Sequence, residues 1–261
     1  MPTVKLNRKF RAVARLAPGA RPGPLQAAVA EMFGIGLDET VEVAVLADLV
    51  LDVRPGDVVF VTGPSGSGKS VLLRALVEAL VAIVPAARLA DLAAIEVPAD
   101  RSVIDGLGLG LDEALRLAST AGLADAFLLL RRPEELSDGQ RWRLRLAHAL
   151  ARLVGDCGDG ARRGGPMLLL AADELASTLD RPCARAVAYR LRRAADQWGI
   201  TVVAASAHED LLEDLAPDVL VVKEAAAGAE VYYADACRAE PPASSTGPGR
   251  RPGDAEAEAP R

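Results

Sequence analysis

The residues Gly63-Pro64-Ser65-Gly66-Ser67-Gly68-Lys69-Ser70 constrain this chain more than any others, because of what lies on either side of them. Before them Val58 to Thr62 is a short, nearly all-apolar run, the pattern of a parallel strand buried on both faces. After them the apolar period lengthens through Val71, Leu72, Ala75, Leu76 and Leu80 to that of an amphipathic helix. The loop fits GxxxxGK[ST] without deviation, between a strand and a helix as that motif requires. Its glycines let backbone N–H groups turn inward, and the helix N-terminus adds a field that favours an anion. Gly63 to Ser70, with Val71 behind them, are therefore the expected nucleotide-binding residues. Lys69 is expected to reach the β- and γ-phosphates of ATP and the Ser70 hydroxyl to ligate Mg²⁺. A strand feeding a helix through such a loop commits the chain to an α/β fold with a largely parallel sheet.

The remaining patterning agrees. Val41, Val43 and Val45, then Leu49, Leu51 and Val53, are spaced by two and read as strand, as does Thr3 to Val13. Arg54-Pro55-Gly56-Asp57 has Pro and Gly where a type II turn wants them. A short helix is expected to reach about Met32. Residues 85–135 read as mainly helical, with a break at Gly106, Gly108 and Gly110. Strand–helix alternation returns with Met167–Ala171, a helix across Val187, Ala188, Leu191, Ala195 and Trp198 closed by Gly199, and strands at Thr201–Ala204 and Val219–Val222.

The chain has 261 residues, 51% hydrophobic and 25% charged, which excludes disorder throughout. A membrane span is excluded because charges such as Arg74, Glu78 and Asp91 interrupt the apolar stretches. The N-terminus scatters Lys and Arg through its apolar residues and is not a signal peptide. A net charge of −6 and an aromatic content of 3% leave no nucleic-acid signature. Cys157, Cys183 and Cys237 are too far apart for a zinc site and read as reduced thiols, so the expected location is cytoplasmic.

A phosphate cradle needs a carboxylate to hold Mg²⁺ through water and a group to activate the attacking water. The apolar run from Met167 to Ala172 leads directly into Asp173-Glu174. Asp173 is assigned as the metal-side carboxylate and Glu174 as the general base. Leu136-Ser137-Asp138-Gly139-Gln140 opens a second helix, through Trp142, Leu144, Leu146, Ala147 and Leu150. Ser137 and Gln140 form an S-x-x-Q capping box, so that helix also starts with free N–H groups for an anion.

From about residue 45 to 223 the chain resembles the ATP-binding cassette (ABC) ATPases, whose signature is LSGGQ. The ordered set carries the resemblance: the cradle at 63–70, LSDGQ at 136–140, Asp173-Glu174, Ser177-Thr178-Leu179-Asp180, then His208. It implies that Asp180 takes the D-loop position and His208 the catalytic switch-histidine position, whereas His148 inside the signature helix is structural. MFGI, LSDGQRWRLRLAHAL and DLLEDLAPDVLVVK are also similar to a soluble ABC group, some of whose members are fused to a predicted acetyltransferase domain. No such domain is expected here. The implied fold is a P-loop NTPase core with a mostly parallel sheet, an N-terminal antiparallel β part and an inserted helical subdomain. The implied division is an extension at 1–40 with a strand and short helix packing on the core, an ATPase domain at 41–237 with its helical subdomain at about 90–150, and a disordered tail at 238–261.

Three features depart from the family. No Gln lies between Ser70 and Gln140 to serve as the Q-loop glutamine, which contacts Mg²⁺ and the attacking water; Glu96 falls where that loop should start. Asp138 replaces the third signature residue, placing a negative charge near an anion site unless it points away or caps a local N–H. Gly155–Gly165 reads as an inserted surface loop. Phe33-Gly34 resembles the family's adenine-stacking Tyr-Gly, with a core role for Phe33 the alternative.

A capped helix N-terminus must face the γ-phosphate, yet within a cassette it lies far from its own cradle. The expected assembly is therefore a head-to-tail homodimer in which Ser137, Asp138, Gly139 and Gln140 of one copy close the ATP site of the other. The missing glutamine and the absence of a spanning segment favour a soluble ATPase that drives a conformational change in an unidentified protein or nucleic-acid complex. A transporter subunit on a membrane permease, or a nucleotide switch with negligible hydrolysis, are the alternatives.

Overall fold

The computed structural model describes residues 3–13, 23–34, 40–155, 165–224 and 228–234. Most of the insertion at 155–165, the tail, Cys157 and Cys237 lie outside these residues; Cys183 is a free thiol. Strand β1 (Thr3–Val13) pairs antiparallel with β2 (Thr40–Asp52), from Thr3 opposite Asp52 to Val13 opposite Thr40. Between them in sequence lies α1 (Pro24–Phe33), closed by Gly34 in the left-handed region. Val4 and Leu6 of β1 are buried, whereas α1 buries no residue. An apolar stripe makes a helix amphipathic, but it does not supply an opposing surface.

The turn after β2 forms as its residues predict, with the Asp57 N–H donating to the Arg54 carbonyl at 3.0 Å and Gly56 at φ 91°. It delivers β3 (Val58–Thr62), buried throughout, then the cradle and α2 (Lys69–Ile83). The chain continues through β4 (Arg88–Asp91), the helices α3 (Val103–Gly106), α4 (Leu111–Thr120), α5 (Ala126–Leu129) and α6 (Asp138–Val154), and β5 (Leu168–Ala172). It ends in α7 (Arg181–Trp198), β6 (Ile200–Ala205), α8 (Leu212–Leu215), β7 (Val219–Lys223) and β8 (Ala229–Tyr233).

The core strands form a six-stranded sheet in the order β4-β5-β6-β3-β7-β8, parallel except for β8. Side-chain alternation divides the interior in two. Leu168, Leu170 and Ala172 of β5 pack with α4, α6 and α7, while Leu169 and Ala171 face α2 and the β1–β2 pair. Gly199 closes α7 at φ 67°, as its place in the sequence predicts.

Both sheet edges differ from the sequence reading. β4 is a short edge strand inside the stretch read as mainly helical, and four residues in an alanine-rich context are too few to establish a period of two. β8, on the other edge, pairs antiparallel with β7 and has no counterpart in the sequence reading.

Candidate nucleotide site

Gly63 leaves β3 at φ 140°, where a Cβ would lie 2.1 Å from the Lys223 carbonyl oxygen. Only glycine fits between the cradle and the end of β7. Beneath it Lys223 is fully buried, its Nζ donating to the carbonyls of Glu224 at 2.7 Å and Gly228 at 3.2 Å. Burial lowers the Lys223 pKa. Gly63→Ala is expected to destabilise the chain by about 3 kcal/mol, combining overpacking with an unfavourable backbone angle. Gly66→Ala, where a Cβ meets open space, is expected to cost about 1 kcal/mol at its φ of 78°. Urea unfolding without nucleotide measures both, and equal losses would contradict the packing explanation.

Gly68 caps α2 with no side chain in the way, so the first N–H groups of that helix open into the cleft. The Lys69 ammonium donates to the carbonyls of Gly63 at 2.8 Å and Pro64 at 2.9 Å, which curls the loop around a positive charge. The Ser67 hydroxyl is buried and has no hydrogen-bond partner among the described residues. Ammonium, helix terminus and glycine backbone together make a receptor for phosphate oxygens.

The carboxylates arrive on the adjoining strand ends. Asp173 Oδ1 accepts from Ser70 Oγ at 3.0 Å and from the Glu174 N–H at 3.1 Å. Glu174 and Ala176 have φ of 50° and 58°, a strained conformation for residues with a side chain. The Leu175 N–H, donating to the Ala205 carbonyl at 2.8 Å, ties this segment to β6. Glu174 thus stands at the rim of a cleft of about 390 Å³ that includes Ser65, Lys69, Ser70, Asp173 and His208. The His208 N–H donates to Ser206 Oγ at 3.1 Å.

Of the expected cradle residues, Ser65, Gly66, Gly68, Lys69, Ser70 and Val71 line the cleft. Gly63, Pro64 and Ser67 instead shape the loop from below. Ser177 and Ser206 also line it and were not among the expected site residues. Both are small hydroxyl residues beside assigned acids or the histidine, and that adjacency was their only signal.

The signature residues do not line this cleft. Ser137 caps α6 as expected, its Oγ accepting from the Gln140 N–H at 3.3 Å while Gln140 Oε1 accepts from the Ser137 N–H at 3.0 Å. Asp138 pairs with Arg141 one turn on, so its charge is met locally. Gly139 lies against the chain's own 177–180 segment: a Cβ there would sit 3.0 Å from Leu179 Cδ2 and 3.2 Å from the Thr178 carbonyl. Asp180 caps α7, accepting from the Cys183 N–H at 2.8 Å, and that bond lowers its pKa.

No family model matches the chain. It is 31% identical over 219 residues to the phosphonates import ATP-binding protein PhnC of Hyphomonas neptunium, an alignment covering 69% of this chain and 78% of that one. It is 32% identical over 206 residues to the aliphatic sulfonates import ATP-binding protein SsuB of Yersinia pestis, covering 72% and 70% respectively. The chain belongs to the ABC family of ATP-binding proteins. Among solved structures, the ATP-binding cassette MJ0796, in a dimeric state bound to ADP and Pi, shares the fold with a TM-score of 0.54. Its identity is 18%, over 73% of this chain and 91% of that one.

As an ABC ATPase the chain hydrolyses ATP with Mg²⁺. The residues present suit that ion: a hydroxyl and a carboxylate already in contact are the hard oxygen donors Mg²⁺ takes, alongside phosphate oxygens and water. Bound there, Mg²⁺ neutralises charge developing on the phosphate oxygens. Phe33 is 70% exposed and so does not belong to the core, and it does not line the cleft. Glu96 is also outside the cleft and instead borders two cavities against α6. His148 is half-buried in α6, and burial lowers its pKa, which favours neutral imidazole.

Proposed function

We propose that this cassette is the ATP-binding subunit of a membrane import system, working as an ATP-sandwich homodimer at the cytoplasmic side of a separate permease. The observation that carries the dimer is the separation of Ser137 and Gly139 from the chain's own cleft, although Ser137 opens a long helix suited to an anion. A second copy, turned head to tail, brings that helix to the γ-phosphate. The importer reading rests on the relatives, whose names describe import subunits, and it replaces the soluble role favoured by the missing glutamine.

In each site Lys69 and the α2 terminus bind the phosphates, while Ser70 and Asp173 would hold Mg²⁺. Glu174 accepts a proton from the attacking water as its oxygen bonds to the γ-phosphorus and the bond to ADP breaks. His208, at the same rim, hydrogen-bonds the γ-phosphate. Asp180 keeps α7 and the preceding segment in register with the signature helix of its own chain.

No described helix is long and apolar enough to cross a membrane; the permease is part of the reading and follows from the relatives' names as import subunits. A groove of about 570 Å³ beside α6, with Val97, Pro133 and Leu144 on its walls and Glu134, Arg141 and Arg145 around them, is the surface we assign to it. Purification from detergent-solubilised membranes of the native cells is expected to yield the cassette in stoichiometric complex with an integral membrane protein. Arg145→Glu is expected to weaken that complex at least tenfold. Recovery of the cassette solely as a free homodimer would exclude the importer reading.

A further inference from the structure

Strand β6 ends at the cleft, and the peptide unit between Ala205 and Ser206 is held there from both sides. Its carbonyl accepts from the N–H of Leu175, the residue after Glu174, at 2.8 Å. Its N–H donates to the Val61 carbonyl, just before the cradle, at 3.0 Å. A planar unit clamped in this way fixes the Ser206 Cα relative to both the carboxylate segment and the phosphate loop. Ser206 is only 2% exposed, yet it lines the cleft beside Ala205, Ala207 and His208.

Past Ser206 the chain leaves the sheet, and a side chain takes over the tie. Ser206 Oγ accepts from the His208 N–H at 3.1 Å, a turn in which a short hydroxyl does the work of a backbone carbonyl. Ala207, between them, has no side-chain acceptor to offer. His208 stands immediately before a short 3₁₀ turn, Glu209–Leu211, so the place of its backbone decides where its imidazole enters the cleft.

We propose that Ser206 is a positioning residue of the hydrolytic site. Its hydroxyl carries the clamped geometry of β3 and the Glu174 segment forward to the His208 backbone, and through it to the imidazole that meets the γ-phosphate. Lys69 and the start of α2 bind the phosphates independently of this tie, so losing it should slow the chemistry and spare the affinity. The assignment rests on His208 as the γ-phosphate contact.

Ser206→Ala removes the acceptor and leaves the clamped peptide in place. In the full chain it is expected to lower kcat about tenfold, with KM for ATP within about twofold of wild type. His208→Ala should lower kcat further, and the double variant should turn over no more slowly than His208→Ala alone, because the two residues act as one unit. A second readout needs no turnover. His148 and His208 are the two histidines of the chain, so isotope-labelled histidine gives two imidazole signals, which His208→Ala assigns. A saturating non-hydrolysed ATP analogue with Mg²⁺ should shift the His208 signal in wild type and shift it far less in Ser206→Ala. A wild-type kcat or a wild-type signal shift in Ser206→Ala would overturn the proposal and leave His208 in its role. Losses that multiply in the double variant would overturn it too, since Ser206 would then act without His208. If His208→Ala itself turns over normally, the reading of His208 fails and the proposal with it.

Discussion

Replacing Glu174 by Gln is expected to lower ATP turnover by about 100-fold or more while leaving ATP affinity within about threefold of wild type. A positioned general base contributes about 10²- to 10⁴-fold, and an amide of the same shape cannot take the proton of the attacking water. The groups proposed to bind the nucleotide are elsewhere: the Lys69 ammonium, the open start of α2, and the Ser70–Asp173 pair. Binding and chemistry should therefore separate. In the proposed sandwich hydrolysis opens the dimer, so the variant should accumulate as an ATP-bound dimer at micromolar protein, visible by light scattering after gel filtration with ATP and Mg²⁺. Wild type under the same conditions should dimerise only transiently. A Glu174→Gln chain that remains monomeric would refute the sandwich, and one that turns over normally would remove Glu174 from the role of base. Those two failures are independent, so the experiment tests the assembly and the chemistry separately.

The parallel core was legible in the sequence because β3, β5 and β6 are buried on both faces. Runs such as Val58–Thr62 and Leu168–Ala172 admit no polar face, and the helices between them show an unambiguous longer period. The edges were not legible for the converse reason. β4 and β8 are short and only partly covered, and their identity comes from partners distant in sequence. α1 shows the limit of periodicity from another side: Leu25, Val29 and Met32 mark a helix correctly and say nothing of what it meets.

Within the site, motif spacing singled out residues that the fold brings together: part of the cradle, Asp173, Glu174 and His208 line one cleft. Residues that act through backbone position were harder to read. Nothing in the sequence says that Gly63 must clear a carbonyl on β7, or that Asp138 finds Arg141 before it can oppose an anion.

Lys69→Ala is expected to weaken ATP binding by at least 100-fold, to the point of undetectable binding at micromolar nucleotide. The ammonium is the cationic side chain in the cleft wall, and truncating one member of a close charge pair costs about 2–5 kcal/mol. A second loss accompanies the charge, because Nζ also bridges the carbonyls of Gly63 and Pro64 and holds the loop curled. Those bonds are worth about 1 kcal/mol each, so a modest fall in melting temperature without nucleotide should accompany the loss of binding. Lys69→Arg separates the two contributions: it keeps the charge, but its planar fork does not match a compact ammonium seated between two carbonyls. It should bind ATP more weakly than wild type and more tightly than the alanine variant. Calorimetric titration of the three proteins gives the order directly, and retained affinity in Lys69→Ala would show that the phosphates lie somewhere other than this loop.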